Sequence, residues 1–215
     1  MNDTESMETT TQLKKLTLKG LSELKRVWGE NSQRVFSFRN LKEVIVSDCK
    51  ILQTLFPSSL AKTLEKLEKL KIESLSISNC PNLQYLFSSS AAKNLMNLEE
   101  IRVEKCGSMK EIVAKWGHED EHEGKGEDKY ENEMRFAKLE ILTLCSLPKF
   151  ESFYTGSSTL NFPSLKKVEF TKCYNMTIFH HGDKVPAELM VTIDGVHWEG
   201  GINSVIIQQL EEVAA

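Results

Sequence analysis

The stretch LKEVIVSDCKILQTLFP, residues 41–57, decides the fold of this chain. Its apolar residues keep a fixed spacing: Leu41, Val44, Val46, Cys49, Leu52, Leu55 and Phe56. The same spacing recurs in six segments, which begin at Leu13, Leu41, Ile72, Leu98, Leu139 and Leu165. Because apolar residues at alternate positions point to one face of a strand, each segment predicts a short strand with one buried face.

A repeat of this form predicts an α/β protein, a leucine-rich-repeat solenoid shaped like a horseshoe. The strands should stack in parallel as a concave sheet, and the segments between them should return along the convex side as irregular structure or short helices. The best candidate for a convex helix is Ser59–Leu70, whose apolar residues have helical spacing. In that helix Leu60, Leu64, Leu67 and also Ala61 are candidates to face the core.

We expect three parts in the chain: a disordered N-terminal tail over residues 1–12, a solenoid over 13–183, and a C-terminal capping segment over 184–215. A strand over Leu189–Ile193 and a helix over Ile202–Val213 should form the cap. The first repeat follows the tail directly, which leaves an apolar end uncovered. The chain is therefore expected to be a piece of a longer protein or to pair with another molecule there.

The step from Leu98 to Leu139 is longer than the others because it contains the segment 117–133, GHEDEHEGKGEDKYENE. This segment has eight acidic and two basic residues, a net charge of −6. So few apolar residues cannot bury a core, and we expect a disordered insertion. It could be a solvated spacer or an acidic arm that contacts a basic surface of a partner.

The composition predicts a folded protein and excludes two classes of partner. The 215 residues carry a net charge of −4 with no basic stripe, so nucleic acid is not an expected partner. No apolar run approaches the ~20 residues of a membrane helix, and the polar N-terminus contains no signal peptide. We therefore expect no membrane insertion and a cytoplasmic, or nucleocytoplasmic, location.

The five cysteines fit a reducing compartment. Cys49, Cys80, Cys106 and Cys173 occupy one repeat position and should form a buried column, whereas Cys145 should point away from the core. Paired C-x-x-C spacings typical of zinc sites are absent. His118 and His122 lie in the acidic segment and His180 and His181 in a predicted turn, so none of the four is a strong ligand or catalytic candidate.

No phosphate-binding loop and no nucleophile elbow occur in the sequence. No carboxylate falls in a predicted apolar pocket that would shift its pKa for acid–base chemistry. We therefore expect no enzyme activity, no cofactor, no metal and no small-molecule substrate.

The outward-facing residues of the six strands should form three columns on the concave sheet. Their polar, mixed-charge character with two isoleucines suits a protein partner. Glu100, Arg102 and Glu104 are the sharpest charged cluster. The candidate protein-binding residues are Lys15, Thr17, Lys19, Glu43, Ile45, Ser47, Glu100, Arg102, Glu104, Ile141, Thr143, Lys167 and Glu169.

The repeat pattern resembles the C-terminal repeats of the coiled-coil nucleotide-binding leucine-rich-repeat disease-resistance proteins of plants. The resemblance is carried by Leu41–Pro57, Ile72–Phe87 and Leu98–Val113, and by His197–Ser204 with its following helix. It implies a domain that senses pathogen effectors, or host proteins that effectors modify, and that helps to keep the receptor inactive. The nucleotide-binding switch of that family has no counterpart in this chain.

We therefore expect a protein-recognition module of plant innate immunity, which binds an effector, a guarded host protein or a nucleotide-binding receptor domain. A different class remains open, namely a stand-alone structural or adaptor repeat protein, or a truncated receptor product without signalling activity. Substrate recognition for ubiquitin transfer is a third possibility, although no F-box precedes Leu13.

Overall fold

A computed structural model of the chain describes residues 12–28, 40–60, 71–115 and 133–214. Within these residues the strands are β1 Lys15–Lys19, β2 Glu43–Ser47, β3 Thr54–Phe56, β4 Ser74–Ser78, β5 Tyr85–Ser88, β6 Glu100–Glu104, β7 Val113–Ala114, β8 Met134–Arg135, β9 Ile141–Cys145, β10 Leu160–Asn161, β11 Lys167–Thr171, β12 Asp183–Lys184, β13 Met190–Ile193 and β14 Val196–Trp198. The helices with both ends described are α1 Ser89–Ala92 and α2 Ile202–Ala214.

The main sheet contains eight strands in the order β1-β2-β4-β6-β9-β11-β13-β14. The first seven strands are parallel and pair in register, so that Leu16, Val44 and Leu75 occupy equivalent positions in successive repeats. Two three-stranded sheets, β3-β5-β7 and β8-β10-β12, lie in the segments between these strands. The predicted leucine-rich-repeat solenoid is confirmed.

The burial pattern follows the sequence pattern. In β2, β4 and β11 the second and fourth residues are buried and the first, third and fifth are half-buried. The residues Cys49, Cys80 and Cys106 after the strands are 0% exposed. The third repeat therefore begins at Ile72, as the spacing predicts.

A backbone turn ends each main strand. The residue before the recurring cysteine or leucine has a positive φ in all six repeats: Gly20, Asp48, Asn79, Lys105, Ser146 and Lys172. In this conformation its N–H donates a hydrogen bond to the carbonyl of the last strand residue in the following repeat. For example, Asp48 N donates to Ser78 O at 3.1 Å. Glycine adopts such a φ freely, whereas other residues pay a steric cost that the hydrogen bond offsets.

An aromatic column packs inside the returning segments. Trp28, Phe56 and Phe87 stack with ring centroids 5.5 and 5.4 Å apart. The indole N–H of Trp28 donates to the carbonyl of Leu55 at 2.7 Å. Because one residue per repeat fills the same position, the core continues from coil to coil.

Only the start of the predicted convex helix can be assessed. Residues 58–60 are helical, and Leu60 packs partly buried against the core. The rest of that helix, with Ala61, Leu64 and Leu67, lies outside the described residues. The same holds for residues 1–11 of the predicted tail and for 117–132 of the predicted acidic insertion, so the proposed division of the chain stays a prediction.

The C-terminal end of the main sheet is formed by a hairpin. Asp194 and Gly195, with φ of 47° and 85°, make the two-residue turn between β13 and the antiparallel β14. The predicted strand over Leu189–Ile193 is confirmed as β13, whereas the sequence analysis missed β14. The Asp194 carboxylate also accepts a 2.7 Å bond from the Lys172 N–H, so a side chain satisfies the last turn of the sheet.

A second ladder of backbone hydrogen bonds links the returning segments of successive repeats, and helix α2 lies at its C-terminal end. In that ladder Ile112 N donates to Phe153 O, and Phe153 N donates to Phe179 O. No strand continues it in the part of the chain that the structure describes. Instead the Asn203 side chain accepts from Phe179 N at 2.8 Å and donates to His180 O at 2.7 Å.

We predict that Asn203→Ala lowers the free energy of unfolding by about 1–3 kcal/mol, because it leaves two backbone groups without their partners. Chemical denaturation followed by circular dichroism measures the change. Gln208→Ala, at an exposed position of the same helix, is the control and should change stability by less than about 0.5 kcal/mol. Equal effects of the two substitutions would contradict the role of Asn203.

We also predict that Lys105→Gly raises the free energy of unfolding by up to about 1 kcal/mol, because Lys105 is exposed with a φ of 54°. Lys105→Val should lower it by more than this. Lys110→Gly, at an exposed site without a positive φ, should destabilise the protein and serves as the control. Denaturant midpoints that rank the variants otherwise would contradict the strain argument.

Candidate protein-binding face

Strand register places the outward side chains of the main sheet in three columns. The first column is Lys15, Glu43, Ser74, Glu100, Ile141 and Lys167. The second is Thr17, Ile45, Ser76, Arg102, Thr143 and Glu169. The third is Lys19, Ser47, Ser78, Glu104, Cys145 and Thr171. The candidate residues from the sequence therefore lie together on the concave face, in the order that the repeat frame predicts.

Strand β13 extends these columns by one strand that the candidate residues do not include. Met190 lies beside Lys167 and is 56% exposed, and Thr192 lies beside Glu169. The Thr192 hydroxyl is 2.9 Å from Nδ1 of His197 on β14. The alternation over residues 189–193 was a signal for these positions, but nothing in the sequence pattern indicated that His197 would reach the sheet.

The charges of the face are arranged in close pairs. Lys15 contacts Glu43 across two strands at 3.0 Å. Arg102 contacts Glu100 at 3.1 Å and Lys167 contacts Glu169 at 2.8 Å, each within one strand. These side chains are all at least one-third exposed, so each pair adds little to stability.

Strand β4 places only serines on the face, at Ser74, Ser76 and Ser78. Ile45 in β2 and Arg102 in β6 flank the middle serine. Serine is short, so β4 places small hydroxyl side chains between the longer side chains of Ile45 and Arg102.

Two residues whose positions were predicted from the sequence are buried. Thr143 lies in its column between Arg102 and Glu169 but is only 7% exposed. His180 is 2% exposed and does not lie on an exposed turn. It stacks on Tyr154 with ring centroids 5.5 Å apart, and its Nδ1 is 2.8 Å from the Tyr154 carbonyl oxygen. His180 thus fills the aromatic position of the sixth repeat.

The cysteine column is a set of free thiols that bond to the backbone. Cys49, Cys80 and Cys106 are buried, and each thiol donates to the carbonyl two residues earlier at 3.3–3.5 Å. Burial raises the pKa of Cys49. A hydrogen bond between Cys80 and Cys106 raises the pKa of Cys106 and lowers the pKa of Cys80. Because all three thiols are fully buried, they act as small core residues.

Cys173 departs from the predicted column because it is half-buried, as is Cys145 on the concave face. Burial raises the pKa of Cys173 to about 11. Cys145 lies 3.6 Å from the Ser146 hydroxyl. The two half-buried thiols thus differ in position, since Cys173 packs against the core and Cys145 lies in the outward column.

Among residues 12–28, 40–60, 71–115 and 133–214, no three His, Cys, Asp or Glu side chains are placed to hold a metal ion. His118 and His122 lie outside these ranges. In the same part of the chain, no helix has the length and apolar character needed to cross a bilayer.

The repeats, their parallel sheet and the polar concave face define a leucine-rich-repeat protein, a class whose stacked repeats form extended binding surfaces. The family model described as plant disease resistance protein RPS2-like, leucine-rich repeats, matches residues 1–74 and 71–181. The chain belongs to this family of plant disease-resistance repeats. Searches of curated proteins and of solved structures gave no match. A role in protein interaction follows from the family.

We predict that Cys145 reacts first when the folded protein is treated at pH 8 with an aromatic disulfide reagent. The thiolate is the nucleophile, and a pKa of about 11 leaves Cys173 almost fully protonated at this pH. Absorbance of the released thiol measures the rate. Cys145→Ser should remove the fast phase and Cys173→Ser should retain it, whereas the opposite result would contradict the assigned accessibility.

Proposed function

We propose that this chain is a protein-recognition module of plant innate immunity that binds through its concave face. Its partner is a pathogen effector, a host protein that effectors modify, or the nucleotide-binding domain of a receptor. The family supports a role in defence, and the polar, mixed-charge face supports a protein as the partner. In this proposal the module acts by binding, without catalysis or a cofactor, inside the cell.

The observation that carries the proposal is the different composition of the two faces of one sheet. The inward positions are apolar in every strand, for example Val44, Leu75 and Ile101 at equivalent places. The outward positions at the same level change from Lys15 to Glu43, Ser74, Glu100 and Ile141. Core packing restricts the inward residues to apolar types. The outward residues can vary without changing the fold, and they can therefore be specific for a partner.

The centre of the proposed contact is β6 with its neighbour β4. Arg102 is exposed there and lies beside Ser76 of β4, with Glu100 and Glu104 on either side of it in the strand. Arginine is often a main contributor in protein interfaces because it combines a charge with a flat, weakly hydrated group. We therefore propose Arg102 as the principal contact.

We predict that Arg102→Glu weakens binding of the main partner at least about fivefold, which corresponds to about 1 kcal/mol. The wild-type chain and the variant, each fused to a proximity-labelling enzyme, are expressed in plant cells. The labelled proteins are quantified by mass spectrometry, and the strongest difference is then tested with purified proteins. The substitution is exposed and should leave the thermal midpoint almost unchanged.

Lys138→Glu is the matched control, because it makes the same charge change at an exposed residue outside the main sheet. It should leave the labelled set as in the wild type. Identical labelling by all three proteins would overturn binding through the concave face. A partner lost equally in both variants would indicate a general charge effect in place of a defined contact.

A further inference from the structure

The turn between β13 and β14 contains a dipeptide of unusual chemical reactivity, Asp194-Gly195. A backbone nitrogen attacks the side-chain carbonyl of a preceding aspartate most readily when it belongs to glycine, because glycine has no Cβ to hinder the approach. Among the 215 residues an aspartate precedes a glycine once, at this position, and no asparagine precedes a glycine. Both residues of the turn are exposed to solvent.

The backbone around this dipeptide is open. Asp194 and Gly195 have φ of 47° and 85°, a left-handed conformation that aspartate tolerates better than most residues. A Cβ placed on Gly195 would meet no atom within 4 Å apart from those of its chain neighbours. The turn therefore has room for a five-membered ring at this position and for the water that would open it.

The Asp194 carboxylate is held by one hydrogen bond on the neighbouring strand. Its Oδ1 accepts from the Lys172 N–H at 2.7 Å, and the Asp194 N–H donates to Phe170 O at 2.9 Å. The carboxylate has to leave Lys172 before it can reach the nitrogen of Gly195. Reaction therefore proceeds from a conformation in which this bond is open, and it is slower in the folded chain than in a free peptide.

We propose that Asp194 is a modification site, at which the folded chain converts to a succinimide and then to isoaspartate. The single Asp-Gly sequence and its exposed, unobstructed turn carry the proposal. The site is separate from the concave contact of Arg102 and requires no partner.

The conversion needs water and no other reactant. The Gly195 nitrogen attacks Cγ of the protonated Asp194 carboxyl group, an N–Cγ bond forms, and the hydroxyl group leaves with the amide proton as water. Water then opens the succinimide ring. Attack at Cγ restores aspartate, whereas attack at the α-carbonyl breaks its bond to nitrogen and gives isoaspartate, in which the main chain runs through Cβ and Cγ.

Isoaspartate would change the hairpin in two ways. The main chain gains one methylene group in a turn of two residues, which disturbs the neighbouring pair of Thr192 and His197, whose hydroxyl and Nδ1 lie 2.9 Å apart. The carboxylate moves from Cγ to Cα, so the Lys172 N–H loses its acceptor. Modification therefore loosens the end of the main sheet.

The test uses the full chain, incubated for weeks at physiological temperature and neutral pH. Electron-transfer fragmentation of the tryptic peptide 185–215 then distinguishes isoaspartate from aspartate at position 194. A synthetic peptide of residues 190–199, which lacks the Lys172 bond, is the positive control. Gly195→Asn is the matched variant, because asparagine tolerates the left-handed turn, has room for its side chain and hinders the attack.

We predict isoaspartate at position 194 of the full chain, a succinimide precursor lighter by one water, and a severalfold lower yield in Gly195→Asn. Asp48, with a similar φ of 57° but followed by cysteine, should remain aspartate. The converted chain, separated by ion exchange, should melt about 2–4 °C below the unconverted chain, as expected for one lost hydrogen bond.

Two outcomes would overturn the assignment of the site: no isoaspartate at position 194 while the synthetic peptide converts, or equal conversion at Asp48. Equal melting temperatures of the converted and unconverted chains would overturn the assigned loss of the Lys172 bond.

Discussion

Each repeat of this protein satisfies its strand hydrogen bonds only through its neighbours. The outward residues of a main strand bond to the repeat before, and the inward residues bond to the repeat after, as the bonds of Lys14, Glu43 and Asp48 illustrate. A single coil would leave many backbone groups without partners and its apolar side chains in water. The fold therefore exists only as a stack, and the two ends of the stack become the places where structure has to change.

The two ends are treated differently in the described residues. At the C-terminal end, the carboxylate of Asp194 and the amide of Asn203 take the places of backbone groups that a further repeat would supply. The helix α2 adds Ile202, Val205 and Ile206 as buried side chains. At the other end, Leu13 and Leu21 keep the core pattern while remaining exposed.

The repeat frame was enough to predict the sheet, its register and the three outward columns, because one spacing fixes both the strand and the face. It could not predict that Thr143 would be covered, since this depends on the length of side chains in the neighbouring strands. It also missed the burial of His180, although His180 stands seven residues after Cys173, as Phe56 stands after Cys49. The hydrophobic pattern does not assign a histidine to this position. Histidine can occupy it because its ring stacks on Tyr154 and its Nδ1 forms a hydrogen bond with the Tyr154 carbonyl.

The ion pairs of the concave face bear on how a partner could be recognised there. Lys15 with Glu43, Arg102 with Glu100, and Lys167 with Glu169 are paired before any partner arrives. A partner that covers them removes water from both members, and the attraction within a pair offsets part of that cost. A partner that separates an ion pair must itself supply an opposite charge for each member of the pair. Charges held in this way contribute more to the choice of partner than to the strength of binding. In the proposed binding mode, the sheet thus provides the contact area, and the ion pairs on it contribute to the choice of partner.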